Sequence, residues 1–413
     1  MASRARFERE LLPAIVATGS LGAKKFNIVK LSLSSEEKGD DHFTSSTEFV
    51  SLVIQFPGQI PENHDMVVKL PPDDEFFRKY ISTEQLFYNE VVMYTEVIPA
   101  MENFLRTRSK VSLKDYNLFP KCYYAKWENG KGFVALEDMR HSGFQVCRER
   151  VVLDYDHCVV LLRDLGRFHA ISFGMKELDP DSLFRLAKKF KETMFGDDDF
   201  YKITLSRTVE YLDRKNELDK ETRERFKERV KDPFNLMKDL VIPKEPLAVL
   251  CHGDFCRNNV MFRYENGKPC QTKFFDFQTP RYGSPAIDLT FLCFLNTTSD
   301  FRGKYWDQML EVYHNSLVQS VADIMECSVF EVKTKYPFEV ITKEFRDYAF
   351  YGYILCNFFL PEMVMGPTEQ INHDEMARRT LVDLAEAYRI LGGEECSAMV
   401  AEIVKDMAGM GAF

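Results

Sequence analysis

The chain has 413 residues, 45% hydrophobic and 13% aromatic, which supports a large core and, by the usual length prior, two domains or lobes. With 64 acidic against 54 basic residues the formal net charge is -10, so nothing supplies the phosphate attraction behind sequence-independent nucleic-acid binding. Cysteines scattered from Cys122 to Cys396 form no C-x-x-C pair, which argues against a zinc site and fits reduced thiols in a cytoplasmic chain.

The first residues, M1-A-S-R-A-R-F-E-R-E10, mix arginines with glutamates, and Pro, Thr and Gly interrupt L11-L-P-A-I-V-A-T-G19. A leading helix is expected there and not a signal peptide. Strand signals follow at E48-F-V-S-L-V-I-Q-F56, D65-M-V-V-K-L70, Y123-Y-A-K-W127 and K131-G-F-V-A-L136. Asn129-Gly130, between the last two, supplies the positive φ angles of a type I′ turn and makes them a hairpin. From Ile81 to Pro99, Leu86, Glu90, Met93 and Val97 recur at helical spacing, and Pro99 is expected to stop the helix.

Helical periodicity dominates from about residue 150, as in V159-V-L-L-R-D-L-G-R-F-H-A170 and from Thr380 to Leu391. The apolar run from Tyr348 to Pro361 is shorter than a bilayer needs, is interrupted by Asn357 and is closed by Pro361, so it reads as a core helix and not a membrane span. The exception to the helices begins at the apolar run from Pro246 to Leu250, which enters C251-H-G-D-F-C-R-N-N259 and then two strand-like runs joined by Asn266-Gly267.

That hairpin brings Asn259 opposite positions near 274 to 276, close to Asp276, with Pro269 able to shift the register. Two oxygen-bearing side chains at one strand end, with Asp254 on the preceding loop, form a hard-oxygen set suited to Mg²⁺. Mg²⁺ binds through one or two protein oxygens plus substrate phosphates, which points to nucleotide chemistry. Phosphoryl transfer also needs a carboxylate to orient the attacking hydroxyl and take its proton, and the spacing of His252, Asp254 and Asn259 provides one.

H252-G-D-F-C-R-N-N259 with F275-D-F-Q278 resembles the HGDxxxxN and DFQ motifs of the ecdysteroid kinase-like (CHK kinase-like) family of phosphotransferases. V67-V-K-L70 is similar to that family's phosphate-binding strand, and L86-F-Y-N-E-V-V-M-Y94 to the helix whose glutamate pairs with the lysine. G39-D-D-H-F-T-S45 resembles its nucleotide loop, L136-E-D-M139 its hinge, and R281-Y-G-S-P-A-I-D-L289 the segment after the metal aspartate. The likeness covers about residues 39 to 365.

The resemblance implies an α+β bilobal protein-kinase-like fold, with a small antiparallel-sheet N-lobe (residues 1–136) that binds nucleotide and a larger, mainly helical C-lobe (137–413) for catalysis and the acceptor. It implies ATP and Mg²⁺ as cofactors, Asp254 as base, and Asn259 and Asp276 as metal ligands. Lys69, Glu90, Gly39, Ser45, Glu137 and Met139 would bind the nucleotide. Asp288 and His252 are expected to be scaffold, and His169 a satisfied core residue. Only a dozen or so residues separate Asp276 from Asp288 and no A-P-E follows, so neither an activation loop nor a peptide platform is expected. The implied acceptor is a small alcohol, an ecdysteroid or a xenobiotic, with choline or aminoglycosides as alternatives and a catalytically silent binder as the reading from another class. The sequence sets no oligomeric state.

Overall fold

The computed structural model describes residues 4–22, 25–35, 46–71, 82–128, 131–149, 151–194, 196–365 and 380–413. Gly39 and Ser45 of the expected nucleotide loop, and the Asn129-Gly130 turn, lie outside the described residues. A five-stranded antiparallel sheet occupies the N-terminal part, in the order β1 (Asn27–Ser35), β2 (Ser46–Gln55), β3 (Glu62–Leu70), β5 (Lys131–Glu137), β4 (Cys122–Glu128). Its alternating side chains build a compact core of Val50, Leu52, Ile54, Met66 and Val68, covered by the leading helical turns through Phe7, Leu11 and Ile15. Strand β1 was not foreseen, because an edge strand reading NIVKLSLSS carries few buried positions to mark it.

The helix after β3 forms as α1 (Thr83–Val92), but Pro99 does not stop it. A π turn (Met93–Val97) shifts the bonding, and Pro99 falls in the first turn of α2 (Ile98–Arg108), where a missing N–H costs nothing. The same correction applies to Pro361, which lies inside α7 (Ala349–Met365), a buried helix whose packing holds it past the proline.

The second, larger core is helical. Helix α3 (Tyr155–Leu178) lies along α6 (Ser299–Met325), with α4 (Asp198–Lys215), α5 (Ala286–Asn296) and α7 around them. Gly166 permits the close α3–α6 approach, since a Cβ there would stand 2.8 Å from Tyr313 O. Among the described residues no helix is long and apolar enough to cross a membrane. The α+β, two-part kinase-like architecture expected from the sequence is the one observed.

The site rests on two small sheets. Strand β7 (Val249–Cys251), the end of the Pro246 to Leu250 run, pairs antiparallel with β10 (Arg281–Gly283). Strands β8 (Val260–Glu265) and β9 (Lys268–Phe274) pair with each other, and β6 (Phe144–Val146) joins β8. Asn266 and Gly267 have φ of 52° and 79°, the left-handed pair a type I′ turn requires. The register shifts between Arg263 and Tyr264, beside Pro269, and Val260 still faces Phe274.

Candidate active site

Strand β3 and helix α1 bring the first pair together. Lys69 Nζ donates to Glu90 Oε2 at 2.9 Å and to Asp276 Oδ1 at 2.5 Å, so one ammonium bridges two carboxylates that come from different parts of the chain. Burial works against charge on Lys69, but Asp276 and Glu90 together raise its pKa, so it stays an ammonium. Burial and the Asp276 charge push Glu90 upward.

The hairpin places Asp276 beside the loop that follows β7. Phe275 N donates to Asn259 O at 3.0 Å, which fixes β9's end against the HGD loop. Asp276 adopts φ of 62°, a left-handed conformation that a non-glycine residue holds at a strain of order 1 kcal/mol or more. Asn259 Nδ2 donates to Asp254 Oδ2 at 2.9 Å and to Asp254 O at 2.8 Å, which ties the two residues together. The Asp254 carboxyl is pushed up to about 7 by burial and then by the negative charge of Asp276.

The loop that carries Asp254 is held by Asp288 at the start of α5. Its Oδ2 accepts from His252 N and its Oδ1 from Gly253 N, both at 2.8 Å. Burial opposes its ionisation, but bonds from His169 and Gly253 and the neighbouring histidines hold its pKa below the usual carboxylate value. Gly253 has φ of 84°, and a Cβ there would meet Thr279 O at 1.8 Å. His252 is buried, and burial lowers its pKa. Its Nε2 lies 2.9 Å from Phe275 O, so that nitrogen carries the proton and the ring supports the loop. His169 is fully buried between Asp288 and Tyr313. Cys251 and Cys256, like the other eight cysteines, are free, and both are buried. Although His169, Cys251 and Asp288 gather potential metal ligands, those atoms are already committed to hydrogen bonds.

Glu137 and Met139 lie across the sheet's end. With Phe49, Val67, Met261 and Phe275 they line a cavity of about 300 Å³ that reaches Lys69, Glu90 and Asp276 at its far end. Its apolar walls suit a flat base, and its charged end suits phosphates. The Arg140 guanidinium sits 3.7 Å from the Phe49 ring centroid and bonds Asp138, which pins that edge of the cavity. Carboxylate and amide oxygens are the ligands a hard divalent cation takes, and the site supplies them: Glu90 and Asp276 meet at Lys69, and Asp254, held by Asn259, feels the charge of Asp276.

Sequence reasoning missed several partners of this loop. Arg281 Nη1 donates to Tyr351 OH at 2.5 Å, Arg281 Nη2 to Glu192 Oε1 at 2.9 Å, and Tyr351 OH to Gly253 O at 3.2 Å. Asn296 is buried, accepting from Arg257 N and donating to Val151 O.

Solved structures similar to the chain include a choline kinase from Cryptosporidium parvum, at 12% identity and a TM-score of 0.43 over 97% of this chain and 98% of that one. An ethanolamine kinase from Plasmodium vivax has 12% identity and a TM-score of 0.41, covering 91% and 83%. An ADP-bound aminoglycoside phosphotransferase has 15% identity and a TM-score of 0.36, covering 94% and 98%. No curated protein matches. The sequence model of the ecdysteroid kinase-like family matches residues 40–326, the span that holds the Lys69 strand, the HGD loop and Asp276, and the chain therefore belongs to the ecdysteroid kinase-like family and is a small-molecule kinase.

Proposed function

We propose that the protein transfers the γ-phosphate of ATP to a hydroxyl of an ecdysteroid or a similar lipophilic alcohol. The single observation that carries this reading is the Lys69 ammonium seated between Glu90 and Asp276 at the charged end of the apolar cavity, beside Asp254. The base occupies the cavity between the sheet and Met261, and Lys69 meets the α- and β-phosphates while Glu90 holds its ammonium in place. Asn259 and Asp276 are the residues that would hold Mg²⁺, which neutralises developing charge on the phosphate oxygens.

Asp254 orients the acceptor hydroxyl and takes its proton as the new O–P bond forms, and the bond from Pγ to the bridging oxygen breaks to release ADP. A carboxyl held near 7 is suited to that exchange at neutral pH. The proposal includes a nucleotide-binding part at residues 1–136 and a catalytic and acceptor-binding part at 137–413; the smaller core lies wholly within the first, while the larger one also takes in α1 and α2. It also includes a cytoplasmic setting, which ten unpaired cysteines support.

The test is to incubate purified protein with Mg-ATP and ecdysteroids, choline, an aminoglycoside and plant-type phenols, and to look for phosphorylated product by mass spectrometry. A phosphorylated steroid supports the hormone reading, and phosphorylated phenols alone move the role to detoxification. Product from choline or the aminoglycoside alone points to a cationic acceptor. Nucleotide bound without any product refutes the transfer and leaves a silent binder.

A further inference from the structure

Residues 188–194, which follow the Pro180–Ala187 helix, lie as a strap against α1 and the π turn after it. Lys189 forms an ion pair with Glu96, and Lys191 Nζ lies 4.2 Å from the centroid of the Tyr88 ring. Between these, the fully buried Asn89 offers its amide as a strand would offer its backbone. Lys191 N donates to Asn89 Oδ1 at 2.9 Å, and Asn89 Nδ2 donates to Lys191 O at 2.8 Å. The same Nδ2 reaches Gln278 O at 3.3 Å, two residues past Asp276. At the strap's far side Glu192 bonds Arg281, which bonds Tyr351, whose hydroxyl donates to Gly253 O beside Asp254.

We propose that Asn89 is a positioning residue that locks α1 to the strap and to the segment after Asp276, so that Glu90 is held on Lys69 with or without nucleotide. The proposal rests on the nucleotide-site reading above. Asparagine fits the task because one short planar amide both donates and accepts, and two of its bonds close a ring with a single residue's backbone. A leucine would fill the same space and offer neither group. The helix that carries Glu90 then loses its bonded anchor to the strap, and a buried carbonyl at Gln278 loses a donor. A helix so fixed needs no separate event to bring its glutamate inward.

Hydrogen exchange of the full chain, read by mass spectrometry, tests the clamp directly. In Asn89→Leu, peptides covering 83–97 and 189–194 are expected to exchange about tenfold faster, while those covering 286–296 and 349–365 keep their rates. Lys191→Pro removes the donor to Oδ1 from an exposed position, leaves Asn89 intact, and is expected to give the same pattern. Unchanged exchange in both variants, or a rise spread evenly over the chain, overturns the proposal. Slow Mg-ATP hydrolysis in water supplies the second readout. Asn89→Leu is expected to lower kcat about tenfold in the wild-type background and to add nothing in Glu90→Gln, because both act through one ion pair. Losses that multiply overturn it. A wild-type protein that neither binds nor hydrolyses Mg-ATP refutes the proposed function, and the exchange pattern then judges the clamp alone.

Discussion

Replacing Asp254 with asparagine is expected to make the protein more stable at pH 8 while removing its turnover. In the folded chain the Asp254 carboxyl titrates at about 7, against 3.8 for a free aspartate. As pH rises through this window the unfolded chain ionises first, so the folded state binds the extra proton and loses stability until about pH 7, where the full penalty is reached. Roughly three pKa units correspond to a ceiling of about 4 kcal/mol, which solvent at the partly exposed carboxylate reduces to about 2 kcal/mol. Asparagine carries no charge, and its oxygen can still accept from Asn259 Nδ2, so the variant escapes the penalty and keeps the contact. For a chain of this size the gain amounts to a midpoint shift of about 2 °C. Thermal unfolding without Mg²⁺ at pH 5 and pH 8 measures it: pH 5 already lies within the window, so the variant is expected to exceed wild type there by less than half of the gap at pH 8. Equal midpoints at both values, or the same gap at both, would refute the assignment of a buried, high-pKa carboxylate.

Other expectations concern the neighbours of that residue. Asp254→Asn is expected to retain Mg-ATP affinity while turnover falls roughly 10²- to 10⁴-fold, and full activity would remove Asp254 as base. Asp276→Ala is expected to weaken Mg-ATP binding itself, and calorimetry that finds the wild-type affinity would remove Asp276 as a metal ligand. Asp288→Ala strips both amides of the HGD loop and His169 of their shared acceptor, and chemical denaturation is expected to show a loss of about 3 kcal/mol or more. Gly253→Ala places a Cβ inside contact distance of Thr279 O at positive φ, so the variant is expected to fold poorly or to lose activity; wild-type melting and turnover together would show that the loop yields.

How much of the site was legible in the sequence depends on how local each signal is. The HGD loop could be read because a strand, a polar cluster and a two-residue turn lie within thirty or so positions, and the turn alone sets which residues meet. Lys69 and Glu90 were legible as members of a strand and a helix in the right order. Glu192, Arg281 and Tyr351 were not: they sit 70 to 89 positions apart, and no periodicity links them. The one signal within reach was Asn89 itself, a polar residue next to Glu90 on a helix with buried neighbours. Prolines misled for the opposite reason. Local propensity says that Pro99 and Pro361 end helices, but a π turn absorbs the first and tertiary packing carries α7 past the second.

The pairing of β10 with β7 has a further consequence. In the span from Asp276 to Asp288, where a protein kinase keeps a long segment free to be reshaped by covalent modification, this chain has a short strand stitched to the strand that enters the HGD loop. Arg281 in that strand is itself buried and bonded, so a tether there would have to break before anything moved. Control by a phosphate-triggered rearrangement therefore has no material to work with at this point of the fold.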